Sequence, residues 1–141
     1  MNQSELKDQI LHILSESRIG TMATVSRSKP HSRYMTFFND GLTLYTVTSR
    51  ETHKAEELDQ NPYTHILIGY DGKGFGDTYA EIEGKVSQSD SDEWRQKVWN
   101  DSLEPWFTGP DDPDLLVLKV SPLHIRLMNK KGEAPKTLEL V

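Results

Sequence analysis

Apolar residues at Leu6, Ile10, Ile13 and Leu14 recur every three or four positions. That spacing lines one face of a helix over residues 4–16, and Ser4 stands where an N-cap belongs. Gly20 ends the pattern. Residues 21–25 and 32–38 then read as two strands joined by a short loop over 26–30. Asn39-Asp40-Gly41 predicts a tight hairpin, because these residue types tolerate positive φ. Residues 42–47 follow as a third strand, antiparallel to the second.

Residues 52–60 predict a short helix capped by Thr52, with Ala55 and Leu58 on its apolar side. Pro62 forbids its continuation. Residues 63–70 are rich in β-formers and give a fourth strand. The Gly-rich loop over 71–77 lacks the Gly-Lys-Ser/Thr ending of a nucleotide-binding P-loop. Residues 78–86 alternate: Ala80, Ile82, Gly84 and Val86 share one face, and Tyr79, Glu81, Glu83 and Lys85 the other. A helix over 90–99 has Asp90 and Glu93 placed as a capping pair. Residues 115–120 and 124–128 predict two more strands, broken at Ser121-Pro122, and the polar tail from Asn129 is expected to be loosely held. Strands joined mostly by hairpins point to an antiparallel sheet or barrel, not to repeated βαβ units.

Composition narrows the function classes. The 141 residues suit one domain with a single core, here spanning 1–141. The chain is polar, 35% hydrophobic and 27% charged, and a polar small domain often completes its burial in a dimer. Its net charge is −6 with no basic run, which argues against nucleic acid. The absence of Cys removes disulfides, thiolate nucleophiles and zinc–thiolate sites. Redox chemistry would therefore need a bound cofactor. No apolar run has the length of a membrane span or a signal core, so the expected location is the cytoplasm. The histidines at 12, 31, 53, 65 and 124 show no metal-ligand spacing, and no metal site is expected.

Three stretches carry candidate chemistry. TSRETHKAEELDQNP (48–62) gathers hydroxyls and cations at a strand-to-helix turn. A helix N-terminus offers unpaired N–H groups, and a nearby Lys makes a phosphate site physically reasonable. Taken alone, a solvated turn capped by Thr52 is the simpler reading. In Ser32-Arg33-Tyr34-Met35, Arg33 and Met35 share a strand face. An Arg on that face either meets an anion or snorkels to water. Over 104–114, Trp106 and Phe107 either stack on a planar ligand or plug the barrel end. The acidic residues at 111, 112 and 114 read as turn formers and a cap. No residue stands out as a catalytic acid, base or nucleophile.

Taken together, these features are ordered. A strand with Arg33-Tyr34-Met35 precedes one ending in Tyr45-Thr46, then a turn ending in Lys54, a short helix with Asn61-Pro62, Ile82-Glu83-Gly84 in a strand, and WFTGPDDPD (106–114). From about residue 5 to about residue 128, this order resembles the flavin-binding split-barrel family related to pyridoxamine 5′-phosphate oxidase. Within it, the small general stress protein 26-like branch is the nearest match. The resemblance implies a mainly β fold, a six-stranded antiparallel Greek-key split barrel with flanking helices. It also implies a homodimer with two FMN sites at the subunit interface. Arg33, Tyr34 and Met35 would run beside the flavin ring and ribityl chain. Thr46, Val47, Thr48, His53 and Lys54 would hold the phosphate, with Thr52-His53-Lys54 in place of the family's usual Ser-Arg-Lys. Trp106 would reach the ring edge from the partner chain. Tyr79 stands in place of the oxidase's flavin-side Gln, and the tail has no counterpart of the oxidase's substrate-binding segment. The implied function is an FMN-binding flavin oxidoreductase of unassigned substrate. The alternatives are a non-catalytic flavin-binding stress module, or the same barrel holding FAD, a deazaflavin or haem.

Overall fold

A computed structural model of the chain describes residues 1–72, 77–89, 91–130 and 132–140, apart from the side chain of His53. Helix α1 (Gln3–Glu16) leads into β1 (Ile19–Ser26), β2 (Lys29–Asp40) and β3 (Thr43–Ser49). Helix α2 (His53–Gln60) follows, then β4 (Tyr63–Ile68), β5 (Tyr79–Ser89) and α3 (Asp92–Val98). A 3-10 turn at Asp101–Leu103, β6 (Leu115–Met128) and β7 (Lys136–Leu138) complete the chain. The strands run in the order β3-β2-β1-β4-β5-β6, all antiparallel, and β6 pairs back onto β3. This closes a six-stranded barrel, and closure removes exposed edges that would otherwise template aggregation. β7 is added outside the ring, on β6. Among the described residues, no helix is long and apolar enough to cross a membrane.

Alternation places Met22, Phe37, Leu44, Ile66, Ile82 and Leu118 in the buried barrel core. The apolar face of α1 (Leu6, Ile10, Leu14) and the short apolar side of α2 (Ala55, Leu58) join it. A second cluster lies outside the barrel, where Tyr45, Leu115 and Val117 meet Val98 of α3 and Phe107. Tyr45 and Trp94 stack there, with ring centroids 3.6 Å apart. β3 and the start of β6 are thus covered on both faces, which explains the continuous apolar run Leu115-Leu116-Val117-Leu118.

The structure corrects several sequence expectations. α1 is capped by Asn2, whose Oδ1 accepts from Glu5 N at 2.8 Å, and Ser4 lies inside the helix. α3 is capped by Ser91; Asp90 lies outside the described residues. The loop over 26–30 shrinks to a two-residue turn. Arg27 and Ser28 take φ of 52° and 65°, the primed geometry that matches strand twist even without Asn or Gly. Residues 115–128 form one strand, not two. Glu83 pairs with His124 while Gly84 pairs with Pro122, so Leu123 is a bulge residue. The inward positions shift accordingly from Leu116, Leu118 and Val120 to Ile125 and Leu127. Gly84 makes room for this: a Cβ there would lie 2.6 Å from Val120 Cγ1. The tail is also not loose. Leu138 is buried in the core opposite Ile125, and Gln3 bonds both Thr137 O and Glu139 N.

Candidate functional site

The ends of β2 and β3, the turn into α2 and the 100–114 segment enclose a cleft of about 660 Å³. Its polar end is built by the turn. Thr52 caps α2 by accepting from Ala55 N, and its hydroxyl donates to Ser49 O at 2.9 Å. That uses its one proton, so Thr48, 3.2 Å away, donates to Thr52. Lys54 Nζ then donates to Thr48 Oγ1 at 3.0 Å. One of its three N–H groups is used there, and the others can serve an anion. Burial lowers the proton affinity of Lys54 first, Arg33 lowers it further, and Glu57 opposes both. A partly desolvated ammonium beside a helix N-terminus is a strong anion ligand.

The rest of the wall is largely apolar, with Met35, Phe38, Val47, Leu103 and Phe107 along it and Tyr34 and Trp106 at its rim. Trp106 and Phe107 part company in the structure, and neither plugs the barrel end. Phe107 is buried in the outer cluster, while Trp106 is 72% exposed.

Of the residues expected from sequence, Tyr34, Met35, Val47, Thr48 and Lys54 line this cleft; Trp106, expected to enter from a partner chain, lines the cleft of its own chain. Thr46 does not: it is buried on the inward face of β3 and donates to Thr36 O at 2.7 Å. Arg33 sits behind the polar end. Its Nη1 donates to Thr24 Oγ1 at 2.7 Å, and its Nη2 lies 3.6 Å from Glu57 Oε2. Thr24 in turn donates to the same Glu57 oxygen at 2.8 Å. The anion that Arg33 meets in this structure is therefore the protein's own carboxylate. The side chain of His53 lies outside the described residues.

Sequence reasoning missed the support of the turn. Ser49 Oγ donates to Asp114 Oδ2 at 2.7 Å, Arg50 N to Asp114 O at 2.9 Å, and Arg50 Nε to Pro113 O at 2.8 Å. Arg50, though exposed, anchors the turn to this loop. The loop is itself tied down by the buried guanidinium of Arg95 on α3, which donates to the carbonyls of Pro110, Asp112 and Leu115. Asp112 is the turn former: it accepts from the N–H groups of Thr108 and Asp114, which hold its carboxyl below the usual range. Partners this far apart in sequence leave no local pattern to read.

On the outer face of the barrel, His65, Glu81 and Glu83 bring ligand-type atoms within 4.8 Å of one another across β4 and β5. Glu81 there also pairs with Arg126, and His65 Nε2 lies 3.6 Å from Glu81 Oε1.

Comparison with known proteins agrees with this architecture. The family model of pyridoxamine 5′-phosphate oxidase matches residues 6–129. General stress protein 26 of Bacillus subtilis (strain 168) is 54% identical over 140 residues, covering 99% of this chain and 100% of that protein. The crystal structure of General Stress Protein 26 from Bacillus anthracis str. Sterne superposes with a TM-score of 0.86 at 33% identity, covering 96% of this chain and 99% of that one. A Listeria innocua structure, provisionally assigned as pyridoxamine 5′-phosphate oxidase, gives 0.79 at 40% identity over 89% of this chain and 99% of that one. The chain belongs to the pyridoxamine 5′-phosphate oxidase family, in its general stress protein 26-like branch.

Proposed function

We propose that this chain binds FMN in the 660 Å³ cleft and acts as a flavin oxidoreductase. The observation that carries the reading is the cleft's polarity. A desolvated Lys54 and the N-terminus of α2 stand at one end, and an apolar wall leads away to an exposed Trp106. That donor set fits a phosphate joined to a planar, largely apolar ring. Lys54 and the first-turn N–H groups would hold the phosphate, with Arg33 adding positive potential from behind. Met35, Phe38 and Val47 would flank the ribityl chain and ring and exclude water. Bound flavin supplies hydride and one-electron chemistry; the protein supplies position and electrostatics.

The only carboxylate on the described cleft wall is Asp114, and it is committed to Ser49. This supports chemistry that needs no protein base, and equally a module that binds flavin without turnover. We also place a second copy of the chain over the outer face beside the cleft, giving a homodimer. There Ile19, Tyr34 and Tyr70 are 65, 79 and 56% exposed around a hollow that Leu67 and Tyr79 also line. Covering it would remove large apolar area from water.

Titrating the purified protein with FMN, and following flavin fluorescence and absorbance, tests the reading. Saturable binding is expected, weaker for riboflavin, with a dimer mass by light scattering. No FMN binding overturns the flavin assignment, and a monomer overturns the dimer. Anaerobic reduction of the bound flavin by NADH or NADPH separates enzyme from module. Failure with both would leave binding alone.

A further inference from the structure

We propose that Asp114 is a positioning residue for the phosphate end of the cleft, and so lets the protein tell FMN from riboflavin. The inference rests on the flavin reading above. A continuous chain of hydrogen bonds joins the buried core to Lys54. It starts at Arg95, 9% exposed, which fixes the carbonyls of Pro110, Asp112 and Leu115. Asp112 then orients Asp114 through its N–H at 2.9 Å. Asp114 Oδ2 accepts a hydrogen bond from the Ser49 hydroxyl at 2.7 Å. Ser49 O accepts from both the backbone N (3.2 Å) and the hydroxyl (2.9 Å) of Thr52. Thr52 caps α2 and accepts from Thr48, and Thr48 accepts from Lys54.

Two consequences follow. The Ser49 proton is spent on Asp114, so Ser49 orients the turn. The relation of β3 to the α2 N-terminus depends on a loop 65 residues away in sequence. A pre-formed anion cradle loses less ordering entropy on binding than a loose one. A carboxylate beside an anion site would otherwise be unfavourable through like-charge repulsion. Its presence is explained by the bond it accepts.

The test compares FMN, riboflavin and inorganic phosphate as ligands of the wild type, Asp114→Ala and Asp114→Asn. Flavin affinities come from fluorescence titration, and phosphate binding from the shift in melting temperature. Asp114→Ala is expected to lose about tenfold in FMN affinity, the scale of one charge-assisted hydrogen bond, with riboflavin changed less than about twofold. Asp114→Asn keeps an acceptor oxygen for Ser49 and is expected to retain wild-type FMN affinity. Equal losses for FMN and riboflavin would overturn the positioning role, as would an unchanged Ala variant. Tighter FMN binding by both variants would show that the charge matters and the bond does not. If Asp114→Ala fails to fold, Asp114→Leu removes the acceptor while filling the space. A wild type that ignores FMN yet is stabilised by phosphate would overturn the flavin reading alone; the loss of that stabilisation in Asp114→Ala would then sustain the positioning role. A wild type that responds to neither ligand overturns both.

Discussion

Lys54→Ala lowers FMN affinity by about a hundredfold. A hydrogen-bonded charge contact on a phosphate contributes about 1.5–3 kcal/mol, and 1.4 kcal/mol is a factor of ten. The upper part of that range applies because Lys54 is partly desolvated and already oriented by Thr48. Riboflavin, which lacks the phosphate, should bind both forms alike. The same residue sets a pH dependence with two opposite signs. Burial and Arg33 lower the Lys54 pKa from its usual 10.5. As pH rises through the lowered value, the folded protein loses this proton while the unfolded chain still holds it. The unfolded state then binds more protons, so this residue's contribution to the stability of the ligand-free protein rises with pH in that window. FMN affinity falls over the same window, because the cation that meets the phosphate is being discharged. The phosphate itself is fully ionised well below it, with a second pKa of about 6. Titrations of FMN binding and of urea stability from neutral pH to about 10.5 check both trends. Lys54→Ala should flatten each. An FMN affinity that does not change with pH would remove Lys54 from the phosphate site.

The fold was largely legible in periodicity, and the places where it was not share a cause. Strict alternation over β5 and helical spacing over α1 both survive in the structure, because each buries one continuous face. The pattern fails where a face changes. β6 reads as two strands because the bulge at Leu123 moves the inward positions from even to odd numbers, with Pro122 placed opposite Gly84. β7 has three residues and one core side chain, Leu138, too short for any period to show. The Arg27-Ser28 turn carries no Gly or Asn, so its positive φ values leave no mark on the sequence.

For the site, the turn before α2 could be read because its chemistry is local: a strand end, a cap and a Lys within a few residues. What supports the turn could not. Ser49 and Asp114 meet only because β3 pairs with β6 in the closed barrel, with Ser49 opposite Leu115. Arg33 reads as a cation seeking an anion, and the structure supplies Glu57 from α2 as that anion. Hydroxyl and carboxylate partners of this kind become visible only when the barrel brings the strands and helices together.

Phe37→Ala should cost about 3–5 kcal/mol of stability, the range for emptying a buried aromatic site. The ring is 1% exposed in the barrel core, between Thr36 and Phe38, which line the cleft. It is packed tightly enough that a Cβ on Gly20 would lie 3.3 Å from Phe37 Cε2, and 2.5 Å from Leu67 O on the next strand. Neighbours held by paired backbone on both sides cannot collapse into the void, so the cavity persists and the cost lies toward the upper end. The Phe37 backbone is anchored too, donating to Arg18 O at 2.6 Å, so β2 keeps its register when the ring is removed. Chemical denaturation measures the loss. Phe37→Leu, which refills most of the volume, should cost less than about 1.5 kcal/mol and leave FMN affinity within about twofold of wild type. If both substitutions reduced FMN affinity in proportion to stability, the cleft would depend on the packing of the whole barrel. Retained affinity in Phe37→Leu would instead confine its control to the Lys54 turn and the loop behind it.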